Sequence, residues 1–492
     1  MIGSGRRRGV EIKHMHDIGS NAANATRRGF LSRTAGGLGT AALAALLESR
    51  GSLAARSGEI ADPLAPRPSH FAAKAHRVLF LFMSGGPSHI DLFDPKPELI
   101  RLAGSPIPES FGTFKTRRAV AKNKLKPALM PFRRRGESGI EISDFLPHIA
   151  EHADEICLLR GCHGDSVTHP ESVYLMNTGS ILMGKPSLGA WTTYGLGSEN
   201  QNMPAYVVMP DPKGWVKGGS PAWGAGFLPS SYQGTILRGG DQPILNLRAA
   251  RDTPERRRIA IRDLINRLNR ADLPEGAENT DLGARIAAYE LAFRMQAHAP
   301  EVVDVSTESP ATRRLYGLDD ETTAEFGLRC LFARRMLERG VRFIELYCGD
   351  TNGWDAHADL AGNHGKLCAQ SDKPIAGLLK DLKARGLLDT TLVVWGGEFG
   401  RTPMSEGGDG RDHNPHGFSM WLAGGGVKGG VAIGATDEVG LRAVTDRTHV
   451  HDIHATILHL LGFDHTRLVY RHNGRDERLT DVFGEVITKA LA

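Results

Sequence analysis

The chain has 492 residues, enough for one large α/β domain or two ordinary ones with a substantial core. Its 40% hydrophobic and 24% charged residues are the composition of an ordinary globular protein. The formal charge of +4 sits at the front, where residues 1–55 hold eight Lys/Arg against three Asp/Glu; the remainder is close to neutral, which argues against a protein wrapped along nucleic acid.

The front reads as an address. Thr26-Arg27-Arg28-Gly29-Phe30-Leu31 fits the twin-arginine export pattern. An Ala- and Gly-rich apolar stretch follows from Ala35 to Leu47, and the small residues Ala54-Ala55 suit cleavage. That apolar run is too short for a transmembrane helix of about 20 residues, and nothing later in the chain resembles a span. The expectation is an export signal over 1–55, a linker over 56–70 and one mature domain over 71–492, in the periplasm or outside the cell. An amphipathic or disordered N-terminus is the alternative. Twin-arginine export carries proteins that fold first, often with a cofactor installed, which agrees with a bound metal.

From Arg77 the continuous apolar run VLFLFM ends in Ser84-Gly85-Gly86-Pro87, as a buried parallel strand leaves a sheet. Similar runs recur at 156–159, 205–209, 341–347, 391–395 and 419–422. Helical patterns lie between several of them, at 254–272, 281–297, 323–339 and 364–385. This alternation predicts a mostly parallel sheet with helices on both faces, whose ligands gather at the carboxyl ends of the strands. Residues 101–140 read as an insertion, with nine Lys/Arg and no acid between Lys115 and Arg135. It is either a solvated surface excursion or a basic flap that attracts an anionic substrate. Five cysteines, at 157, 162, 330, 348 and 368, are too scattered for a disulfide framework, so buried reduced thiols are expected, with one disulfide left open.

Polar clusters follow the apolar runs. They are Ser88-His89-Ile90-Asp91 with Asp94; His163 to His169; Asp350 with Asp355 and His357; Glu398 to Arg401; and Asp412-His413 with His416. Carboxylates and imidazoles at strand ends are what a hydrolytic divalent-metal site requires, although a lone His or Asp in a loop is more often a cap or turn residue. In residues 449–465, Ile453, Ile457, Leu460 and Leu461 form the apolar face of a helix stopped by Gly462. Histidines 451, 454 and 459 do not share one face, and a packing role is expected for them.

Asp452 to Gly462 resembles the C-terminal helix of sulfatases and related members of the alkaline phosphatase superfamily. SGGPSHIDLFDPKPEL (84–99), MPAYVVMPDPKG (203–214), ATRRLYGLDD (311–320), WGGEFGRTPMSEGGDGRDHNPHGF (395–418) and WLAGGGVKGG (421–430) resemble the exported family known as domain of unknown function 1501. The resemblance runs from about residue 70 to the end. It implies an alkaline phosphatase-like three-layer α/β sandwich and divalent metal (Zn, Ca, Mg or Mn) held at strand ends. It also implies attack on a phosphate or sulfate ester, of a small molecule or a polysaccharide, by a hydroxyl at a helix start.

Carried over residue by residue, the pattern is altered. Ser84-Gly85 stands where the superfamily has paired aspartates, and Asp91 is the nearest acid. Counting back from Thr178-Gly179 puts the nucleophile region at Thr168 and His169, and no sulfatase cysteine signature is present. Glu398-Phe399 replaces a metal-binding Asp-His, Asp355 and His357 suit the Asp…His ligand pair, and His413 suits the late histidine ligand. The strand-end clusters and the resemblance together give Thr168, His169 and Arg401 as candidate catalytic residues and His89, Asp91, Asp355, His357, Glu398 and His413 as candidate metal ligands. Arg401 either pairs with Glu398 or meets the substrate. The alternative function is a non-catalytic envelope protein that binds an anionic glycan or a partner protein on a hydrolase-like scaffold.

Overall fold

The run from Arg77 to Met83 forms the first strand of the computed structural model, which describes residues 62–238, 255–272 and 300–492, with scattered positions between 286 and 295. The export signal, the first residues of the linker and most of the 281–297 pattern lie outside the described residues. In chain order the first twelve strands are β1 (Arg77–Met83), β2 (Phe132–Arg135), β3 (Ile140–Ser143), β4 (Ile156–His163), β5 (Tyr206–Met209), β6 (Thr235–Ile236), β7 (Phe343–Cys348), β8 (Thr391–Gly396), β9 (Gly400–Glu406), β10 (Gly410–Asn414), β11 (Phe418–Ala423) and β12 (Val431–Ile433). The principal helices are α1 (His169–Thr178), α2 (Leu188–Leu196), α3 (Glu255–Asp272), α4 (Ala324–Glu338), α5 (Leu360–Ala384) and α6 (Val450–Leu460).

The central sheet runs β12-β4-β11-β8-β1-β7-β5-β6, and the short strand Thr448–His449 also pairs with β4. All neighbours are parallel except β11, which is antiparallel to both β4 and β8. Because β11 reverses direction between them, β4 points the same way as β8 and β1. The loops leaving β1, β4, β5, β7 and β8 therefore meet along one edge, the carboxyl edge, where such sheets bind ligands.

Side chains of a strand alternate between the two faces of the sheet. Leu79, Leu81 and Met83 of β1 pack with Leu331 and Met336 of α4 and Leu378 and Leu382 of α5. Val78, Phe80 and Phe82 pack on the other face with Val173 of α1, Trp191 of α2 and Ile453 and Ile457 of α6. Burial on both faces is why β1 reads as an unbroken apolar run. The three-layer α/β sandwich is present. One acid interrupts it: Glu345 of β7 is buried, accepts hydrogen bonds from Tyr206 (2.7 Å) and Tyr347 (2.5 Å), and is pushed up to about 7 by burial.

The five cysteines are all buried and free. His451 and His454 of α6 pack as expected, each with its Nε2 on a carbonyl of the α1 segment, Gly179 at 2.8 Å and Met176 at 2.7 Å. The basic insertion is not a loose excursion. Leu125 bridges to Met404 of β9, Ser405 N–H donates to Lys124 C=O at 2.9 Å and Lys126 N–H to Pro403 C=O at 3.0 Å. Among the described residues no helix is long and apolar enough to cross a membrane.

Candidate metal centre

Asp355 is the hub of the carboxyl edge. It lies in the loop after β7, and five side chains reach its carboxylate. Arg401 (2.9 Å), His357 Nε2 (3.0 Å) and His413 Nε2 (3.1 Å) face Oδ1; Lys217 Nζ (2.6 Å) and His169 Nε2 (3.0 Å) face Oδ2. They come from four segments of the fold: His169 opens α1, Lys217 follows β5, Arg401 and His413 sit on the β9–β10 hairpin, and His357 shares the loop of Asp355. Burial alone would raise the Asp355 pKa. The positive charge of Arg401 beside it acts the other way and holds its carboxyl below the usual range.

The far side of each imidazole is fixed. His169 Nδ1 donates to Glu398 Oε1 (2.6 Å), His357 Nδ1 to Glu406 Oε2 (2.5 Å) and His413 Nδ1 to Val167 C=O (2.7 Å). An ionised carboxylate or a carbonyl only accepts, so Nδ1 carries the proton in each ring and Nε2 presents its lone pair. Three lone pairs thus converge on a carboxylate. Two of them, His169 Nε2 and His357 Nε2, are buried without a hydrogen-bond partner among the described residues. Burial pushes the His413 imidazole down to about 3. Imidazoles oriented through Nδ1–H to carboxylates and carbonyls are the usual frame for a metal ion at Nε2. His169, Asp355 and His413 have ligand atoms within 4.8 Å of one another, as do His357, Asp412 and His413. The residues present fit a divalent ion.

Glu398 has another task. Its oxygens accept the Gly85 N–H at 3.0 and 3.1 Å as well as His169 Nδ1, so the carboxylate orients the ring. The position where paired aspartates are expected therefore supplies a backbone donor. Only glycine fits there: Gly85 has φ +105°, and a Cβ would lie 2.5 Å from Asn352 C=O and 2.7 Å from Asp355 N. Phe399, in the place of a histidine ligand, stacks on His413 (4.5 Å, 28°) and tilts against His169 (4.9 Å, 43°), walling the cluster on one side.

Arg401 pairs with Asp355, not with Glu398. It is fully buried, and its remaining N–H groups go to the carbonyls of Gly86 (2.8 Å), Arg411 (3.3 Å) and Gly85. With four of its five N–H donors occupied and the side chain fully buried, it holds the hub carboxylate. Thr168 caps α1 next to His169, half-buried, with its hydroxyl 3.2 Å from Ser166 Oγ. Two expected ligands stand outside the cluster. His89 is buried with Nε2 on Gly440 C=O at 2.8 Å, and burial pushes its imidazole down to about 4. Asp91 accepts from Arg411 Nε (2.9 Å), Leu129 N–H (2.9 Å) and the Ser88 hydroxyl, so its lone pairs are committed.

Lys217 and Glu406 escaped the reading of the sequence. Glu406 lies inside the glycine-rich stretch that follows β8, where nothing in the spacing distinguishes it from a turn residue. Lys217 follows β5 in GWVKGG, and a lysine between glycines after a strand was the available signal. It is the most open of the five partners of Asp355, with its side chain 24% exposed.

A family model described as "protein of unknown function (DUF1501)" matches residues 75–491. No curated protein matches the chain. Similar solved structures include a sulfatase from Pseudoalteromonas sp., 14% identical over 79% of this chain and 68% of that one, with a TM-score of 0.32. A lipoteichoic acid synthase from Listeria monocytogenes is 11% identical over 82% of this chain and 78% of that one, with a TM-score of 0.33. A phosphonate monoester hydrolase from Silicibacter pomeroyi is 12% identical over 64% and 68%, with a TM-score of 0.30.

Proposed function

The chain belongs to the DUF1501 family, and from that starting point we propose that it is an exported, metal-dependent hydrolase of phosphate or sulfate esters in the alkaline phosphatase and sulfatase superfamily. The observation that carries this reading is the convergence of three imidazole Nε2 atoms, each fixed by its Nδ1–H, on the carboxylate of Asp355. His169, His357, His413 and Asp355 are the ligands. Glu398 and Glu406 orient them, and Arg401 positions Asp355. A divalent ion held by these residues would supply Lewis-acid chemistry toward an ester.

The chain's own groups do the rest. Lys217, open on one side, directs its ammonium to an anionic oxygen of the ester. Thr168 presents a hydroxyl beside His169 at the start of α1, where backbone N–H groups favour negative charge. Phe399 and the β9–β10 hairpin exclude water from one side of the cluster. The twin-arginine segment carries the folded protein across the membrane.

One observation favours the second reading, a binding protein without turnover: among the described residues the Thr168 hydroxyl has its hydrogen bond to Ser166 and none to a base. The test is elemental analysis of protein purified after export, followed by a screen of para-nitrophenyl phosphate and sulfate. Metal with turnover that Asp355→Ala abolishes supports the hydrolase. Metal without turnover on any ester supports the binding protein.

A further inference from the structure

We infer that the ligand of this site is a polyanionic polysaccharide, lying as an extended chain with a sugar ring on Trp215 and further anionic groups along residues 115–124. This rests on the ester-hydrolase reading and deepens it to a substrate class. Lys115, Arg117, Lys122 and Lys124 are exposed, and none pairs with a carboxylate among the described residues. Like charges held together without counter-charge repel, and the repulsion is relieved when a polyanion binds. The segment is also rigidly seated. Besides its backbone bonds to β9, Asn123 Nδ2 donates to Ser405 C=O (2.8 Å), and Arg118 N–H donates to Asp412 Oδ2 (2.7 Å). The Arg118 guanidinium meets Glu406 at 2.7 Å, and Glu406 holds His357. The basic rim is thus bolted to the residues that orient the Oδ1 side of Asp355.

The Oδ2 side carries a different surface. Two residues before Lys217, Trp215 is 44% exposed. One face of its indole lies on Trp223, with centroids 5.5 Å apart and planes at 21°, and Trp223 is buried. Tyr174 OH donates to Gly218 C=O at 2.8 Å, and Gly214 sits so close to Thr351 that a Cβ would lie 2.5 Å from its hydroxyl. A fixed indole with one free face beside an anion-directed lysine suits the flat C–H face of a sugar that bears the ester. A basic rim alone would accept nucleic acid or an anionic membrane. The indole selects a sugar.

The experiment reads binding, not turnover, on the full mature chain with and without chelator. Its probes are dextran sulfate, polyvinyl sulfate, duplex DNA and phosphatidylglycerol vesicles. K115Q/R117Q/K122Q/K124Q, melting as the wild type does, is expected to weaken both sulfated polymers about tenfold or more and to flatten their salt dependence. Trp215→Ala is expected to weaken dextran sulfate about fivefold and to leave polyvinyl sulfate unchanged, because the latter has no ring to stack. Equal effects of Trp215→Ala on the two polymers, or none on either, overturn the proposal. So does tighter binding of DNA or vesicles than of dextran sulfate. If these binding results hold and no ester is turned over, the hydrolase reading fails and the ligand assignment stands.

Discussion

His169 donates its Nδ1 proton to Glu398 across 2.6 Å, and that bond decides which ring nitrogen faces Asp355. Glu398 at the same time accepts the Gly85 N–H. A glutamine in its place has one accepting oxygen for two donors and would turn its NH2 toward one of them. Glu398→Gln is therefore expected to keep the fold and lower metal affinity about 10- to 100-fold. Competition against a chromophoric chelator measures it; unchanged affinity would mean that His169 is oriented by something else.

Lys217 is the most exposed of the five partners of Asp355. Lys217→Met removes the charge and keeps the length of the stem. Metal content is expected to stay at the wild-type level while kcat/KM for para-nitrophenyl esters falls by about tenfold to a hundredfold, mostly through KM. Loss of metal together with activity would assign Lys217 to the ligand frame.

Three histidines away from the cluster set an acid limit on stability. Burial lowers His89 to about 4 and His364 and His454 to about 3. Their folded values lie below the unfolded value of about 6.5, so the unfolded chain takes up protons first. Their contribution is complete above pH 6.5 and lost as pH falls toward 4, at about 1.4 kcal/mol per pH unit for each histidine. Urea unfolding of chelated protein from about pH 7 to about pH 4.5 measures the slope. A flat profile below pH 6 contradicts burial of these rings in neutral form.

Asp91 and Arg411 form a fully buried pair at 2.9 Å, and the Arg411 guanidinium also donates to the carbonyls of Thr402, Pro403, Lys126 and Pro127. Arg411→Met leaves Asp91 charged and buried, which costs about 3–5 kcal/mol. Because two of those carbonyls belong to the basic insertion, the variant is also expected to be cleaved faster by trypsin within 115–135. Equal cleavage of wild type and variant would show that the insertion is seated without Arg411.

The sheet was legible because β1, β7 and β8 are buried on both faces and so appear as apolar runs, broken in β7 only by Glu345, each ending where a polar loop begins. Asp355, His357 and His413 were legible for the same reason, as polar residues just past those strands or in the hairpin that follows. His89 and Asp91 follow a strand too. They were misleading because what removes them from the cluster is Arg411, 320 positions further along, and a carbonyl at Gly440. The orienting role of Glu398 was hidden likewise: a carboxylate that binds a metal and one that holds a ligating imidazole look alike in sequence. Arg401 sits three residues past Glu398, yet the hairpin turns it toward Asp355.

The central claim is that the converging imidazoles hold a divalent ion, and metal stoichiometry tests it most directly. Mature protein purified after export without chelator should contain about one tightly held divalent ion per chain, largely absent from Asp355→Ala and His413→Ala. Wild-type protein that contains no metal, and whose melting temperature does not rise when zinc, manganese, calcium or magnesium is added, would contradict the account.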